Sequence, residues 1–181
     1  VTPGPLAEAL ETEYPEVEEA VRYLNINNPM FKVGDRSFRQ SRGAFVDQEF
    51  LNIFDFPLRR GNTRTVLNDL SSIVISERMA ENFFGDENPI GQTLLLEGNY
   101  PMTVSGVMEN IPHNSHIRPD FLINFKVMEN FDPWLMEWDS SRLTTYLLLA
   151  DNADAAALDS KITNLIKERA EGSVASLTLQ P

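Results

Sequence analysis

Two histidines, His113 and His116, stand three positions apart in the stretch IPHNSHIRPDF (residues 111–121), with Asp120 four positions further on. Imidazole and carboxylate at short spacing are the raw material of a zinc site or a general base. Pro112 and Pro119 bracket the pair, so it does not share one helix face. A zinc site needs three or four protein ligands, and the chain has no cysteine and no third histidine. Carboxylates such as Asp120 would have to complete the set. Asn114 and Ser115 are turn formers whose side chains bond the local backbone, and the stretch reads as a loop, with no metal expected.

The other catalytic patterns are equally thin. No serine sits in a G-x-S-x-G elbow. The glycines of FGDENPIGQ follow a predicted helix, whereas a phosphate cradle places them before it, and G-x-x-x-x-G-K-[ST] is absent. Asp86 and Glu87 lack the alternating oxygen spacing of a calcium loop. The 27 acidic residues are too many to single out a glycosidase pair. The residues therefore point to a non-catalytic domain without a cofactor.

Composition narrows the partners. Fifteen basic against 27 acidic groups give a formal net charge of -12, which opposes phosphate neutralisation and disfavours a nucleic-acid partner. Glu8, Glu11, Glu13, Glu16, Glu18 and Glu19 lie in the first 30 residues and read as a solvated face. No stretch approaches the roughly 20 apolar residues of a membrane span, and no signal segment opens the chain, so it is expected to be soluble as given. The start at Val1 and the stop at Pro181 read as a piece cut from something longer.

The elements that would carry these residues fall into two textures. In PLAEALETEY, Leu6, Leu10 and Tyr14 have helical spacing, Pro5 suits a first turn and Pro15 forces a stop. VEEAVRYLN then reads as a strand. The end of the chain repeats the pairing: LTTYLLLA is a strand, Asp154 caps one helix with Leu158, Ile162, Leu165 and Ile166 on a face, and SVASLTLQ is a further strand. Between them FKVGDRSF reads as a hairpin about Gly34-Asp35, and Asp47 as a cap with Phe50 and Phe54 one turn apart. A strand at 73–75 leads to Ser76 as cap of a helix burying Met79, Ala80, Phe83 and Phe84, stopped by Gly85. Two strands about a 97–99 turn and the strand FLINF complete the middle. The expected class is α+β (mixed α/β), with a β-α-β lobe from both chain ends (1–42 and 140–181) and an inserted mixed lobe (43–139).

The segments PLAEALETEYPEVEEAVRY, FVDQEFLNIFDFPLRRGN and SSIVISERMAENFFGDENPIGQTLLLEGNYPMTVSGVMENIPHNSHIRPDFLINF resemble, in order, the extracytoplasmic core domain of MacB/FtsX-type ABC transporter permeases, in the style of Bacteroides-like bacteria. The long segment is the specific part. Its helix ends in FG (Phe84, Gly85), a P-x-G follows (Pro89, Gly91), the strand pair closes on V-x-G-V (Gly106), and NSH (Asn114, Ser115, His116) precedes a DF strand (Asp120, Phe121). Residues 1–4 and 127–141 match least.

The resemblance implies a Porter-like lobe with a Sabre-like insertion, with those ten residues as structural motif positions. It implies a place on the periplasmic side of the cytoplasmic membrane, anchored by helices outside this sequence. It also implies as partners the rest of the permease, a cytoplasmic ABC ATPase and a second permease copy, with room for a periplasmic adaptor or other envelope protein. The expected job is to couple ATPase motion to export, lipoprotein release or signalling. A periplasmic ligand-binding or sensor module with an inter-lobe cleft is the alternative.

Overall fold

The computed structural model describes residues 1–40 and 42–181. In chain order the elements are β1 (Thr2–Pro3), α1 (Leu6–Glu13), β2 (Val17–Asn27), β3 (Met30–Val33), β4 (Arg36–Arg39), β5 (Arg42–Val46) and α2 (Phe50–Ile53). They continue with β6 (Leu58–Arg60), β7 (Ser72–Ser76), α3 (Glu77–Phe84), β8 (Thr93–Leu96), β9 (Tyr100–Met108) and β10 (Phe121–Asn124). The last are α4 (Lys126–Phe131), a 3-10 turn (Pro133–Met136), β11 (Ser141–Leu149), α5 (Ala155–Ile162) and α6 (Leu165–Arg169). No helix among the described residues is long and apolar enough to cross a membrane.

The chain divides into two compact units, Val1–Arg22 with Met128–Pro181, and Tyr23–Val127. In the first, β1 pairs antiparallel with β11, and β11 neighbours β2. Leu6 and Leu10 of α1, Val17 and Ala20 of β2, and Leu158, Ile162, Leu165 and Ile166 form its core. Fully burying each leucine or isoleucine side chain contributes roughly 1.5–3 kcal/mol. Asp154 caps α5 as its type predicts, its carboxylate accepting from the N–H groups of Ala156 and Ala157.

Two expectations fail in this unit. The single helix after Asp154 is broken into α5 and α6 at Thr163 and Asn164, although all four predicted face residues are buried. Thr163 turns its hydroxyl back to the Asp159 carbonyl (2.7 Å), the local bond by which threonine competes with regular helix. The SVASLTLQ stretch is not a strand. Its backbone goes elsewhere: the Leu177 N–H donates to the Thr163 carbonyl (3.0 Å) and that of Leu179 to the Asp159 carboxylate (2.6 Å).

The second unit is a mixed sheet in the order β2-β5-β10-β7-β9-β8-β3-β4, with β6 on β9. The β5/β10 and β7/β9 pairs are parallel and the others antiparallel. Every residue of β7 and β10 is buried, which fits their unbroken apolar runs in the middle of a sheet. The β3-β4 hairpin turns at Gly34 as predicted. It pairs through β3 with β8, Phe31 opposite Leu96, and so belongs to this unit, where the sequence places the lobe join at 42/43. The second join falls at 127/128, where the sequence places it at 139/140. Leu135 accounts for the shift: it is fully buried in the first unit, and its carbonyl accepts the Gly4 N–H. The helix near Phe50 is a single turn with Glu49, not Asp47, at its N-cap position; the Asp47 carbonyl receives the Phe50 N–H instead.

Candidate functional site

The loop holding both histidines, residues 109–120, is fastened at each end by polar contacts with α3 and its neighbours. Ser76 starts α3 in extended conformation, and its hydroxyl accepts the Met79 N–H (3.2 Å), so the first turn of the helix is fixed by its cap. The next two residues reach the loop. The Arg78 N–H donates to the Asn110 side-chain oxygen (3.0 Å), and the Asn110 N–H donates to the Glu77 carboxylate (3.3 Å). Arg59 joins Glu77 (3.0 Å) and Glu109 (3.3 Å).

At the far end Asp120 is buried, with Arg78 on one carboxylate oxygen and the Arg42 Nε 3.8 Å from the other. Its backbone N–H donates to the Arg42 carbonyl (3.0 Å), and its carbonyl accepts from Ser76 (2.8 Å). One oxygen is thus bonded by Arg78, while the other is buried without a hydrogen-bond partner among the described residues and feels Arg42 as a nearby charge, an arrangement that fastens the end of the loop. Both histidines are exposed on the loop. The His113 Nδ1 lies 3.3 Å from the Arg118 guanidinium, which can only donate, so any hydrogen bond between them has this nitrogen as acceptor. The Ser115 hydroxyl donates to the Ile117 carbonyl (2.7 Å), the local turn bond its type predicts. Among the described residues no group of three or more His, Asp or Glu is arranged to hold a metal.

Residues 55–57, 109–112, 114 and 115 line an open cleft of about 410 Å³, with Phe56, Pro57 and Ile111 beside Asp55, Glu109, Asn114 and Ser115. Its lining offers apolar surface, carboxylates and hydrogen-bonding side chains.

The remaining motif residues serve turns and packing. Phe84 is buried at the end of α3, and Gly85 follows with a φ of 62°, its N–H closing on the Glu81 carbonyl. Gln92 donates to the Pro89 carbonyl (3.0 Å), and Gly91 donates to Val104 (2.8 Å), tying that turn to β9. Gly106 follows a bulge: Ile73 pairs with Val104 and Val74 with Gly106, leaving Ser105 as the extra residue. The Ser105 hydroxyl donates to the Val66 carbonyl (2.6 Å), with the Ile73 carbonyl a second acceptor within reach (3.2 Å). Phe121 is fully buried and packs edge-on against Phe31, their ring centres 4.9 Å apart.

Sequence reasoning missed Arg42, Arg78 and Gly43, whose roles depend on partners far along the chain. A Cβ on Gly43 would lie 2.0 Å from the Phe121 ring.

This fold is shared with the extracytoplasmic domains of ABC-type permeases. The extracellular domain of the noncanonical ABC-type transporter YknZ from Gram-positive bacteria superposes with a TM-score of 0.71 at 13% identity, covering 98% of this chain and 89% of that one. The periplasmic region of MacB from Actinobacillus actinomycetemcomitans gives 0.69 at 17% identity over 90% of this chain and 71% of that one. A domain assigned to a permease of Porphyromonas gingivalis gives 0.81 at 24% identity over 99% and 86%. The chain belongs to the MacB-like periplasmic core domain family, whose profile matches residues 1–165. It is 24% identical over 174 residues to the macrolide export ATP-binding/permease protein MacB of Vibrio parahaemolyticus serotype O3:K6 (strain RIMD 2210633). That match takes in 93% of this chain and only 23% of the relative.

Proposed function

We propose that this domain is the non-catalytic extracytoplasmic part of an ABC permease, and that it couples the motion of a cytoplasmic ATPase to work outside the membrane: export, lipoprotein release or signalling. The family match over residues 1–165 carries the reading. The loop geometry supports it, because the motif residues Phe84, Gly85, Pro89, Gly91, Gly106, Ser115, Asp120 and Phe121 lie in turns, packing and fastenings, with Asn114 and His116 exposed on the same loop. Such a part needs stiffness and contacts rather than an active site. Its partners would be the permease's own membrane helices, the ATPase, a second permease copy and an envelope protein.

The described chain has no cysteine, so one placed at the exposed Asn99 is a unique thiol within it. In spheroplasts expressing the full permease, a membrane-impermeant maleimide should label Asn99→Cys without lysis. Labelling only after lysis would put the domain on the other face and defeat the proposal.

A further inference from the structure

Residues 128–139 carry the most exposed aromatic side chains among the described residues, Phe131 at 57% and Trp134 at 63%. They are presented by a braced segment. Between them Pro133 fixes its own backbone angle. Leu135 is wholly buried, its N–H donates to the Asp132 carbonyl (3.0 Å), and its carbonyl accepts the Gly4 N–H (3.0 Å). Ion pairs hold both sides: Asp132 with Arg142 (2.8 Å) and Glu129 with Arg22 (2.7 Å). The Trp134 indole N–H points to the Asp139 carboxylate at 3.4 Å. Rings held on a braced segment lose little freedom on binding, and tryptophan so presented is typical of the centre of an interface.

Charge says what kind of partner fits. The unit that contains this segment has fifteen acidic and five basic residues, whereas the other has twelve and ten. Residues 128–139 hold Glu129, Asp132, Glu137 and Asp139 and no lysine or arginine. Arg22 and Arg142 neutralise the first two, while Glu137 and Asp139 are exposed and form no ion pair among the described residues. An anionic membrane surface is repelled by this patch, and so is a second copy laid face to face on it.

We propose that Phe131, Trp134, Glu137 and Asp139 form a docking site for a protein segment that carries lysine or arginine beside aliphatic side chains. The aliphatic carbons cover the rings, a cation stacks on Trp134, and the two carboxylates take the remaining positive charge. This goes beyond the coupling role, since a permease can couple without this contact.

The probe is a fluorescent amphipathic leucine–lysine peptide, titrated by anisotropy against the full permease in zwitterionic nanodiscs. A leucine–glutamate peptide of the same pattern is the control. The lysine peptide alone should bind, and affinity should fall as salt is raised. Phe131→Ser with Trp134→Ser should weaken binding at least tenfold, about the loss of one hot-spot residue. Glu137→Lys with Asp139→Lys should do the same, and both pairs should leave the melting midpoint and basal ATP hydrolysis unchanged. Equal binding by either double variant would show a general acidic attraction and overturn the proposal. So would Trp134-dependent binding to anionic vesicles in place of the peptide, or a dimer in light scattering that Trp134→Ser dissolves.

Discussion

Replacing Gly43 by alanine tests the packing behind the DF motif. The added Cβ would lie 2.0–2.3 Å from three atoms of the Phe121 ring. Carbon atoms rest at about 3.5–4.0 Å, so the ring would have to retreat by more than about 1 Å. It has little room, being fully buried and set edge-on against Phe31, which in turn meets Phe83 with ring centres 6.0 Å apart. Overpacking of this kind costs about 1–3 kcal/mol. Alanine for glycine in an unstrained site would stabilise by about 0.4–1 kcal/mol through the unfolded chain. The clash wins, and a net loss of about 1 kcal/mol is expected, a fall of about 2–4 °C in melting midpoint for a chain of this size. Phe121→Leu removes the ring atoms that collide, so the double variant should be more stable than the sum of the single losses by about 1 kcal/mol in a double-mutant cycle. Calorimetry would measure all four species. A Gly43→Ala protein as stable as the parent, or strictly additive losses, would refute this packing.

Ser76→Ala should lower stability by about 1 kcal/mol, because the Met79 N–H loses its cap; denaturant titration reads it. Asp120→Ala should cost about 2 kcal/mol, below the 3–5 kcal/mol of fully buried pairs because Arg78 and Arg42 are each about half exposed and regain water. It should also speed proteolysis within residues 109–120, and an unchanged cleavage rate would speak against the fastening role. The Glu16 carboxyl is held below its ordinary range, first by the Lys161 ammonium that bonds it and then by its own backbone N–H. A depressed carboxyl contributes stability above its unfolded value and loses it as pH falls through the folded one. The stability gap between the parent and Lys161→Met should therefore be present near neutral pH and close in acid below the ordinary glutamate range; thermal melts across that window would show a constant gap if the pairing is unimportant.

What was legible in the sequence was what is settled locally. Ser76, the Met79-Ala80-Phe83-Phe84 face and Gly85 define α3 within ten residues, and the structure follows them. The alternation of residues 173–180 has the same look as β9, yet a strand exists only where another backbone meets it, and here Thr163 and Asp159 take the N–H groups. Asp120 could be marked as a motif residue but not as an ion-pair centre, since its partners stand 42 and 78 positions away. Gly43 is silent in sequence for the same reason: its need arises from a ring on β10.

The coupling role is tested most directly by asking whether this domain moves with the ATPase cycle. Spin labels on Asn99→Cys in the two copies of a full permease dimer, with cysteines outside this domain removed, would report the distance between copies by pulsed electron resonance. Trapping the ATP-bound state with a hydrolysis-deficient ATPase should shift that distance by several Å, and release of nucleotide should restore it. Identical distance distributions in the two states, in a dimer confirmed to bind ATP, would contradict a coupling part and leave the domain a static platform.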